Sequence, residues 1–207
     1  MLWSHTTCAV CAVDVSVVDD ALAFLGCRAK VVTIDPHTLA EVDESILRLC
    51  EVTGRRASSR ALVSSIRQRT ARLADRVEAR PRPRVAVLEW TDPPFGPGHW
   101  IPEMVWLAGG DPVIGAAGAA SRRISWDDVK AAQPDVVVVA ACGYDRQGTT
   151  ALAHDLASRG VLPSAVRVVA VDANASWARP GTRLVDGIEE LADFLHGRRT
   201  RPWPSAK

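Results

Sequence analysis

The sequence predicts an α/β protein in which parallel sheets are covered by helices on both faces. Two uninterrupted apolar runs of strand length, VAVL at 85–88 and VVVVAA at 136–141, lie in the second half of the chain. Segments with apolar residues at helical spacing alternate with such runs along most of the sequence. Strands that are apolar at every position are typical of parallel sheets buried on both faces. With 207 residues, 47% of them hydrophobic, the chain can form one large or two small domains, each with a core.

The N-terminal part predicts two helices around one strand. Residues 15–25 have helical spacing, and Gly26 follows as a predicted C-cap. The run AKVVTIDP at 29–36 predicts a short buried strand that ends at a proline. Residues 39–52 again place apolar side chains on one helical face, and Gly54 is the predicted terminator.

A long arginine-rich helix is predicted at residues 57–80. Its apolar stripe is narrow, and a helix of this length, at about 1.5 Å per residue, crosses a small domain. The sequence PRPR at 81–84 ends it, because proline lacks the amide hydrogen and clashes with the preceding turn. The arginines spread around the helix near Asp75 and Glu78, which favours a solvated helix over a nucleic-acid-binding face.

The C-terminal part repeats the alternation of strand and helix. The predicted strands lie at 85–89, 111–114, 136–141 and 166–171, and the predicted helices at 99–107, 125–132, 149–158 and 184–195. The preferred architecture therefore has two parallel-sheet lobes joined by one long helix. The predicted parts are an N-terminal lobe at 1–55, a connecting helix at 56–80, a C-terminal α/β lobe at 81–197 and a flexible tail at 198–207.

A ligand site is predicted beyond the carboxyl ends of the strands, where open parallel sheets bind their ligands. Aromatic residues make up only 5% of the chain, yet the loops that follow the predicted strands are rich in them. The loop after 31–34 carries Asp35 and His37. The candidate ligand-binding residues in the other three loops are Trp90, Asp92, His99, Trp100, Tyr144, Trp177 and Arg179.

Five of these residues also have a plainer interpretation. Trp90 and Trp100 could simply plug the end of the sheet, since most tryptophans are largely buried. His99 could only cap or hydrogen-bond locally, and Asp92 opens an ordinary proline-containing loop. Arg179 could belong to a turn before a helix, or it could clamp an anionic group. The prediction of a site therefore depends on their clustering.

Cys8 and Cys11 form a CxxC pair, which has the spacing of metal-ligand and redox sites. A zinc site needs further ligands, and the chain contains no second CxxC pair. A structural role, a metal or cofactor contact through Cys8 and Cys11, and redox chemistry all remain open. The odd number of cysteines, five, favours reduced thiols over a disulfide framework.

Several classes of function are disfavoured. A net charge of +1 gives no reason to expect nucleic acid as a partner, and no window approaches the roughly 18 apolar residues of a membrane span. Nucleotide-binding, hydrolase and zinc-protease motifs are missing, so the sequence does not indicate an enzyme. Residues 1–7 do not resemble a secretory signal, and a cytoplasmic location is expected for the chain as given.

Four segments resemble the periplasmic-binding-protein-like family that recognises cobalamin and iron–siderophore complexes, and above all its cobalamin-binding branch. The longest is RVAVLEWTDPPFGPGHWIPEMVWLAGGDPV at 84–113. The others are the CxVCAV motif at 8–13, ACGYD at 141–145 and the N-A-x-[FW]-x-R-P-G motif at 174–181. They lie in the order of the family across residues 7–196.

The resemblance implies a non-catalytic substrate-binding protein of the ABC-importer type, which binds cobalamin or a related corrinoid or iron chelate and delivers it to a permease. The cleft positions implied in this chain are Trp90, His99, Trp100, Tyr144 and Trp177, with Arg179 beside them. A broad aromatic rim suits a planar macrocycle, which offers much apolar area and few directional hydrogen bonds.

Relatives begin with a strand–loop–helix segment before the CxVC loop, so the N-terminal lobe is expected to be incomplete. An exposed sheet edge there would pair with another chain, which predicts a homodimer or a covering partner. Exported relatives imply an extracytoplasmic location if the true start lies upstream. The alternative functions are a cytoplasmic thiol-based metal or redox protein that uses the CxxC pair, and a shortened protein that only scaffolds a complex.

Overall fold

The computed structural model describes residues 2–5, 15–26 and 31–197, and it confirms the α/β class with parallel sheets. The described strands are β1 (Leu2–His5), β2 (Val31–Ile34), β3 (Arg84–Leu88), β4 (Trp90–Thr91), β5 (Pro94–Gly96), β6 (Asp111–Pro112), β7 (Arg122–Arg123), β8 (Val136–Val139) and β9 (Arg167–Ala170). The described helices are α1 (Val15–Phe24), α2 (Leu39–Val52), α3 (Arg56–Val77), α4 (Ile101–Leu107), α5 (Trp126–Ala131), α6 (Arg146–Ser158), α7 (Ala173–Ser176) and α8 (Leu184–His196).

A four-stranded parallel sheet in the order β6-β3-β8-β9 forms the centre of the C-terminal part. Val85 of β3 pairs with Val136 of β8, which in turn pairs with Arg167 of β9. All four valines of β8 are fully buried because apolar clusters cover both faces of the sheet. This explains why the strand is apolar at every position.

The N-terminal part contains the parallel pair of β1 and β2, in which Leu2 pairs with Val31 and His5 with Ile34. Strand β1 was not predicted, because four residues are too few to show a period and no turn residues flank them. Phe24, at the end of α1, is 91% exposed. The homodimer contact that was predicted at the edge of the β1–β2 sheet stays a prediction.

Helix α3 ends at Val77, three residues before the predicted end, and a turn closed by the Arg80 amide on the Val77 carbonyl leads to Pro81. Its arginines are less solvated than expected, because two of them pair with acidic residues of α8. Arg69 forms ion pairs with Asp186 and Glu189 at 2.7 and 2.6 Å, and the Arg69 guanidinium lowers the pKa of the Glu189 carboxyl. Arg76 pairs with Asp193 at 2.7 Å.

The N-terminal part and the C-terminal part share one apolar core. Val42 and Ile46 of α2 belong to the same buried cluster as Val77 and the central strands. The Glu103 carboxylate of α4 accepts a hydrogen bond of 2.7 Å from the backbone N–H of Leu39, and so fixes the start of α2. The short segment between β2 and α2 is thereby held against the end of the central sheet.

Among the described helices, none is both long and apolar enough to cross a membrane.

Candidate functional site

The carboxyl ends of β3, β8 and β9 bring the predicted loops together at one edge of the central sheet. Trp90, after β3, and Tyr144, after β8, contact each other edge to face, with ring centroids 5.4 Å apart and ring planes at 62°. The indole N–H of Trp90 donates to the Asp92 carbonyl at 2.9 Å. These side chains come from separate loops, so the predicted convergence of the loops is observed at this pair.

Tyr144, in the loop between β8 and α6, is held by the loop that follows β9. Its carbonyl accepts a hydrogen bond from the Asn174 backbone N–H at 3.0 Å, and the Asn174 side-chain amide donates to the Gly143 carbonyl at 2.8 Å. The ring lies against Gly148, where an added Cβ would overlap it. Tyr144 is 38% exposed, so part of its ring faces solvent. Together with Trp90 it forms an aromatic wall.

A small antiparallel sheet in the order β4-β5-β7 positions Trp90. Trp90 pairs with Phe95 across β4 and β5, and Phe95 pairs with Arg123 of β7. The sequence predicted an irregular loop here, because strands of two or three residues show no periodicity. Trp90 is thus fixed on regular backbone at the start of the loop.

Trp100 and Trp177 lie beneath the rim rather than on it. Trp177 is fully buried and Trp100 is 4% exposed. The indole N–H of Trp100 donates to the Trp177 carbonyl at 2.9 Å, which ties the loop after β3 to the loop after β9. Both were predicted to contact the ligand. In this structure both are buried and support the rim from below. For Trp100 this resembles the plainer interpretation, in which the side chain fills the end of the sheet.

Two histidines meet where the N-terminal part contacts the sheet end. The rings of His37 and His99 have centroids 5.1 Å apart. His99 has a positive φ of 51°, and two backbone hydrogen bonds fix it: its N–H donates to the Ala119 carbonyl at 2.7 Å, and its carbonyl accepts from Gly118 N–H at 3.0 Å. Asp35 lies 3.5 Å from the His37 ring.

Glu89 belongs to the site and was missed by the sequence analysis. Burial raises the pKa of its carboxyl to about 7, against a smaller opposing effect of its hydrogen bond with Ser121. The Ser121 hydroxyl oxygen accepts from Gly98 N–H at 3.0 Å and lies 3.3 Å from His99 Nδ1. The available signal was a glutamate that directly follows the apolar run VAVL at 85–88.

Asp92 and Arg179 occupy the outside of the rim. The Asp92 side chain is 78% exposed and lies 3.9 Å from Arg159. Arg179 is exposed, and its guanidinium lies 3.5 Å from the Asn174 side-chain oxygen. Arg179 therefore stands beside the Tyr144 wall, where its predicted role toward an anionic group stays a prediction.

Cys8 and Cys11 lie outside the described residues, so the structure does not place the CxxC pair. Within the described parts of the chain, no group of three or more histidine, cysteine or acidic residues could hold a metal ion.

An apolar cavity of about 350 Å³ adjoins this region on two sides. It lies between α2, α3 and α8 and is lined by Leu39, Val42, Ile66, Leu184 and Ile188. Leu39 follows His37 by two residues, and Gly181, at the cavity wall, follows Arg179 by two. The cavity lies between helices of the N-terminal and C-terminal parts, and its lining does not include Trp90 or Tyr144.

We expect Gly98→Ala to destabilise the protein by about 1–3 kcal/mol, because a Cβ there would overlap the Ala119 carbonyl oxygen and the backbone of Ser121. Gly181→Ala is the matched control, since a Cβ at 181 meets no atom within 4 Å. Urea unfolding of both variants measures the difference. Equal midpoints for the two would contradict the close approach of the two loops.

The sequence matches the family described as "Periplasmic binding protein" over residues 12–163, and no curated protein matches it. Three solved structures share the fold at 19–21% identity. The first is the periplasmic vitamin B12 binding protein of Vibrio cholerae, with 20% identity, a TM-score of 0.63 and coverage of 87% of this chain and 69% of that one.

The second is a periplasmic heme binding protein from Pseudomonas aeruginosa, with 19% identity, a TM-score of 0.71 and coverage of 99% of this chain and 74% of that one. The third is an ABC-type Fe3+-hydroxamate transport system protein from Saccharomonospora viridis, with 21% identity, a TM-score of 0.66 and coverage of 86% and 64%. The chain thus spans roughly two thirds to three quarters of these structures.

Proposed function

The chain belongs to the periplasmic binding protein family, and on that premise we propose that it is a non-catalytic substrate-binding protein of the ABC-importer type whose ligand is cobalamin or a related metal chelate. Its partner would then be an ABC permease. The three similar structures differ in the ligand that their names give, namely vitamin B12, heme and Fe3+-hydroxamate. All three ligands are metal chelates, which is the class common to them.

The observation that carries this proposal is the contact between Trp90 and Tyr144 at the carboxyl edge of the sheet. Two aromatic rings from different loops, the half-buried Trp90 and the 38% exposed Tyr144, form a wall there, and a separate contact joins the imidazoles of His37 and His99. Aromatic side chains bury a large apolar area while offering few directional contacts, which suits a broad macrocycle. Regular backbone behind Trp90 and the locked loop behind Tyr144 keep the wall in place before a ligand arrives.

The test is titration of the protein with cyanocobalamin, ferric haem and a ferric hydroxamate, followed by tryptophan fluorescence and calorimetry. We expect saturable binding of at least one of them, and we expect the double variant Trp90→Ala/Tyr144→Ala to weaken it by about tenfold or more, equivalent to about 1.4 kcal/mol. Removal of the aromatic wall takes away the contact area that the macrocycle would cover.

Trp106→Ala is the matched control for this experiment. Trp106 is 53% exposed and stacks under Arg82, which precedes β3 and so lies toward the opposite edge of the sheet. Its loss should leave the affinity unchanged within about twofold. If none of the three chelates binds to the wild-type protein, the proposal is wrong.

A further inference from the structure

The apolar cavity between α2, α3 and α8 extends along α3. On that helix it is lined by Ile66, Thr70 and Ala74, which follow one another at intervals of four residues, with Arg67 and Ala71 beside them. Residues at this spacing lie on one face of a helix, and eight residues at about 1.5 Å each span about 12 Å. The cavity therefore has an elongated shape, with Arg67 near one end and Ala74 at the other.

The other walls of the cavity come from α2 and from the start of α8. The larger apolar side chains there are Leu39, Val42, Leu184, Val185 and Ile188. The space between them stays unfilled because the remaining lining includes small residues, namely Ala40, Ala71, Ala74 and Gly181. An apolar cavity of about 150 Å³ holds a benzene molecule, so this one, of about 350 Å³, accommodates about a dozen carbon atoms.

The polar side chains of the lining already have partners within the protein. The Thr70 hydroxyl donates to the Ile66 carbonyl at 3.0 Å, and Arg67 Nε donates to the Asp43 carboxylate at 2.8 Å. The interior of the cavity thus offers a ligand mainly apolar contact. The affinity for such a ligand would come from the apolar area that binding removes from water.

Arg67 supplies a cation where the cavity opens to solvent. Its side chain is 65% exposed, whereas that of its partner Asp43 is 13% exposed, and the lining residues Ala40 and Ala71 are exposed as well. The ion pair uses Nε of Arg67, and the two terminal guanidinium nitrogens, which carry further N–H groups, make no other hydrogen bond among the described residues. An anionic head group can therefore accept a hydrogen bond from Arg67 while the pair with Asp43 stays intact.

We propose that this cavity is a second ligand site, which binds a free medium-chain carboxylic acid with its hydrocarbon chain along α3 and its carboxylate at Arg67. The elongated shape favours an unbranched chain over a compact ring, and the exposed guanidinium favours an anionic head group over an uncharged one. Trp90 and Tyr144 are not among the lining residues, so the site is separate from the aromatic wall. The inference does not rest on the proposed function, and failure of either one leaves the other in place.

Calorimetric titration with sodium decanoate, kept below its critical micelle concentration, tests the site. We expect one-to-one binding with a Kd of about 1 mM or tighter, the scale for a ligand of about a dozen non-hydrogen atoms. Ala71→Phe places a ring over the opening of the cavity and should weaken binding by about tenfold or more. Because Ala71 is exposed, the larger side chain does not enter the core. Ala61→Phe, the same change at an exposed position of α3 outside the lining, is the matched control and should keep the affinity within about twofold.

The contact between the carboxylate and Arg67 is tested through the charges of the ion pair. Asp43→Asn removes the negative charge beside Arg67, so decanoate affinity should rise by about two- to fivefold, the range of exposed ion pairs. Arg67→Gln should lower it by a similar factor. Octanol, an uncharged alcohol of similar length, should bind to the wild type and to both variants with affinities that agree within about twofold. Decanoate affinities that are the same in all three proteins would overturn the placement of the carboxylate.

Methyl NMR locates the bound decanoate. The methyl signals of Ile66 and Ile188 should shift on titration, and Trp90→Ala/Tyr144→Ala, which removes the aromatic wall, should bind decanoate as the wild type does. Absence of saturable binding, or equal binding to Ala71→Phe, overturns the proposal.

Two further measurements identify other occupants of the cavity. Light scattering detects a second copy of the chain, and sedimentation with phosphatidylcholine vesicles detects a lipid surface. A dimer that Ala71→Phe dissociates and Ala61→Phe does not, or capture by vesicles without binding of decanoate, would assign the cavity to that occupant and overturn the proposal.

Discussion

Trp177→Ala should lower the free energy of unfolding by about 3–5 kcal/mol. Trp177 is fully buried, and its carbonyl accepts the indole N–H of Trp100. Loss of the indole leaves a cavity beside Met104 and Gly187, whose positions α4 and α8 fix, so the site cannot collapse completely. Urea unfolding followed by circular dichroism measures the loss.

Two further variants separate the causes. Trp177→Phe keeps most of the ring and removes an indole N–H that has no acceptor among the described residues, so we expect less than half of the alanine loss. Trp106→Ala removes a tryptophan that is 53% exposed and should cost less than about 1 kcal/mol. A Trp177→Ala variant as stable as Trp106→Ala would contradict the buried position of Trp177.

The wild-type protein should lose stability as the pH rises from about 4.5 to about 7, and Glu89→Gln should remove this loss. The folded state raises the Glu89 pKa from 4.5 to about 7 because the fold partly removes the half-buried carboxyl from water. Between these values the folded protein holds a proton that the unfolded chain has released, so the free energy of unfolding falls with pH. At about 1.36 kcal/mol for each pKa unit, the full loss above pH 7 is on the order of 3 kcal/mol.

Glu89→Gln should therefore be more stable than the wild type at pH 8 by up to about 3 kcal/mol, and similar to it near pH 4.5, where the carboxyl is protonated in the fold. The comparison uses urea unfolding at several pH values, with Glu44→Gln as the exposed carboxyl control. Parallel pH profiles for the wild type and Glu89→Gln would show that Glu89 ionises without cost in the folded protein.

The sequence predicted well those strands and helices that contain a long apolar run or a sustained helical spacing of apolar residues. Strands β3 and β8 and helix α2 were predicted because long apolar runs or a sustained helical spacing mark them. The short strands β1, β4, β5 and β7 were not predicted, because two to four residues show no period and none of them belongs to an apolar run such as that of β8. Their pairing depends on partners distant in sequence, which local patterns do not report.

The convergence of the loops at the candidate site was predictable, because it follows from the parallel order of the strands. The loops after β3, β8 and β9 converge because parallel strands end at a common edge, which brought Trp90 and Tyr144 together. The burial of Trp177 depends on the packing of α4 and α8, so the sequence could not place it beneath the rim. The contact of His37 with His99 depends on how α2 docks against the sheet, which likewise has no local signal.

Under the proposed function, the hydrogen bond from Leu39 to Glu103 bears on how quickly the protein can bind its ligand. It anchors the start of α2 to α4 at 2.7 Å, and α2 shares its core with the rest of the chain. A receptor built this way already has its recognition surface assembled, so encounter need not wait for a hinge to swing shut. Differences in affinity among chelates should then arise mainly from residence time, with arrival rates nearly constant.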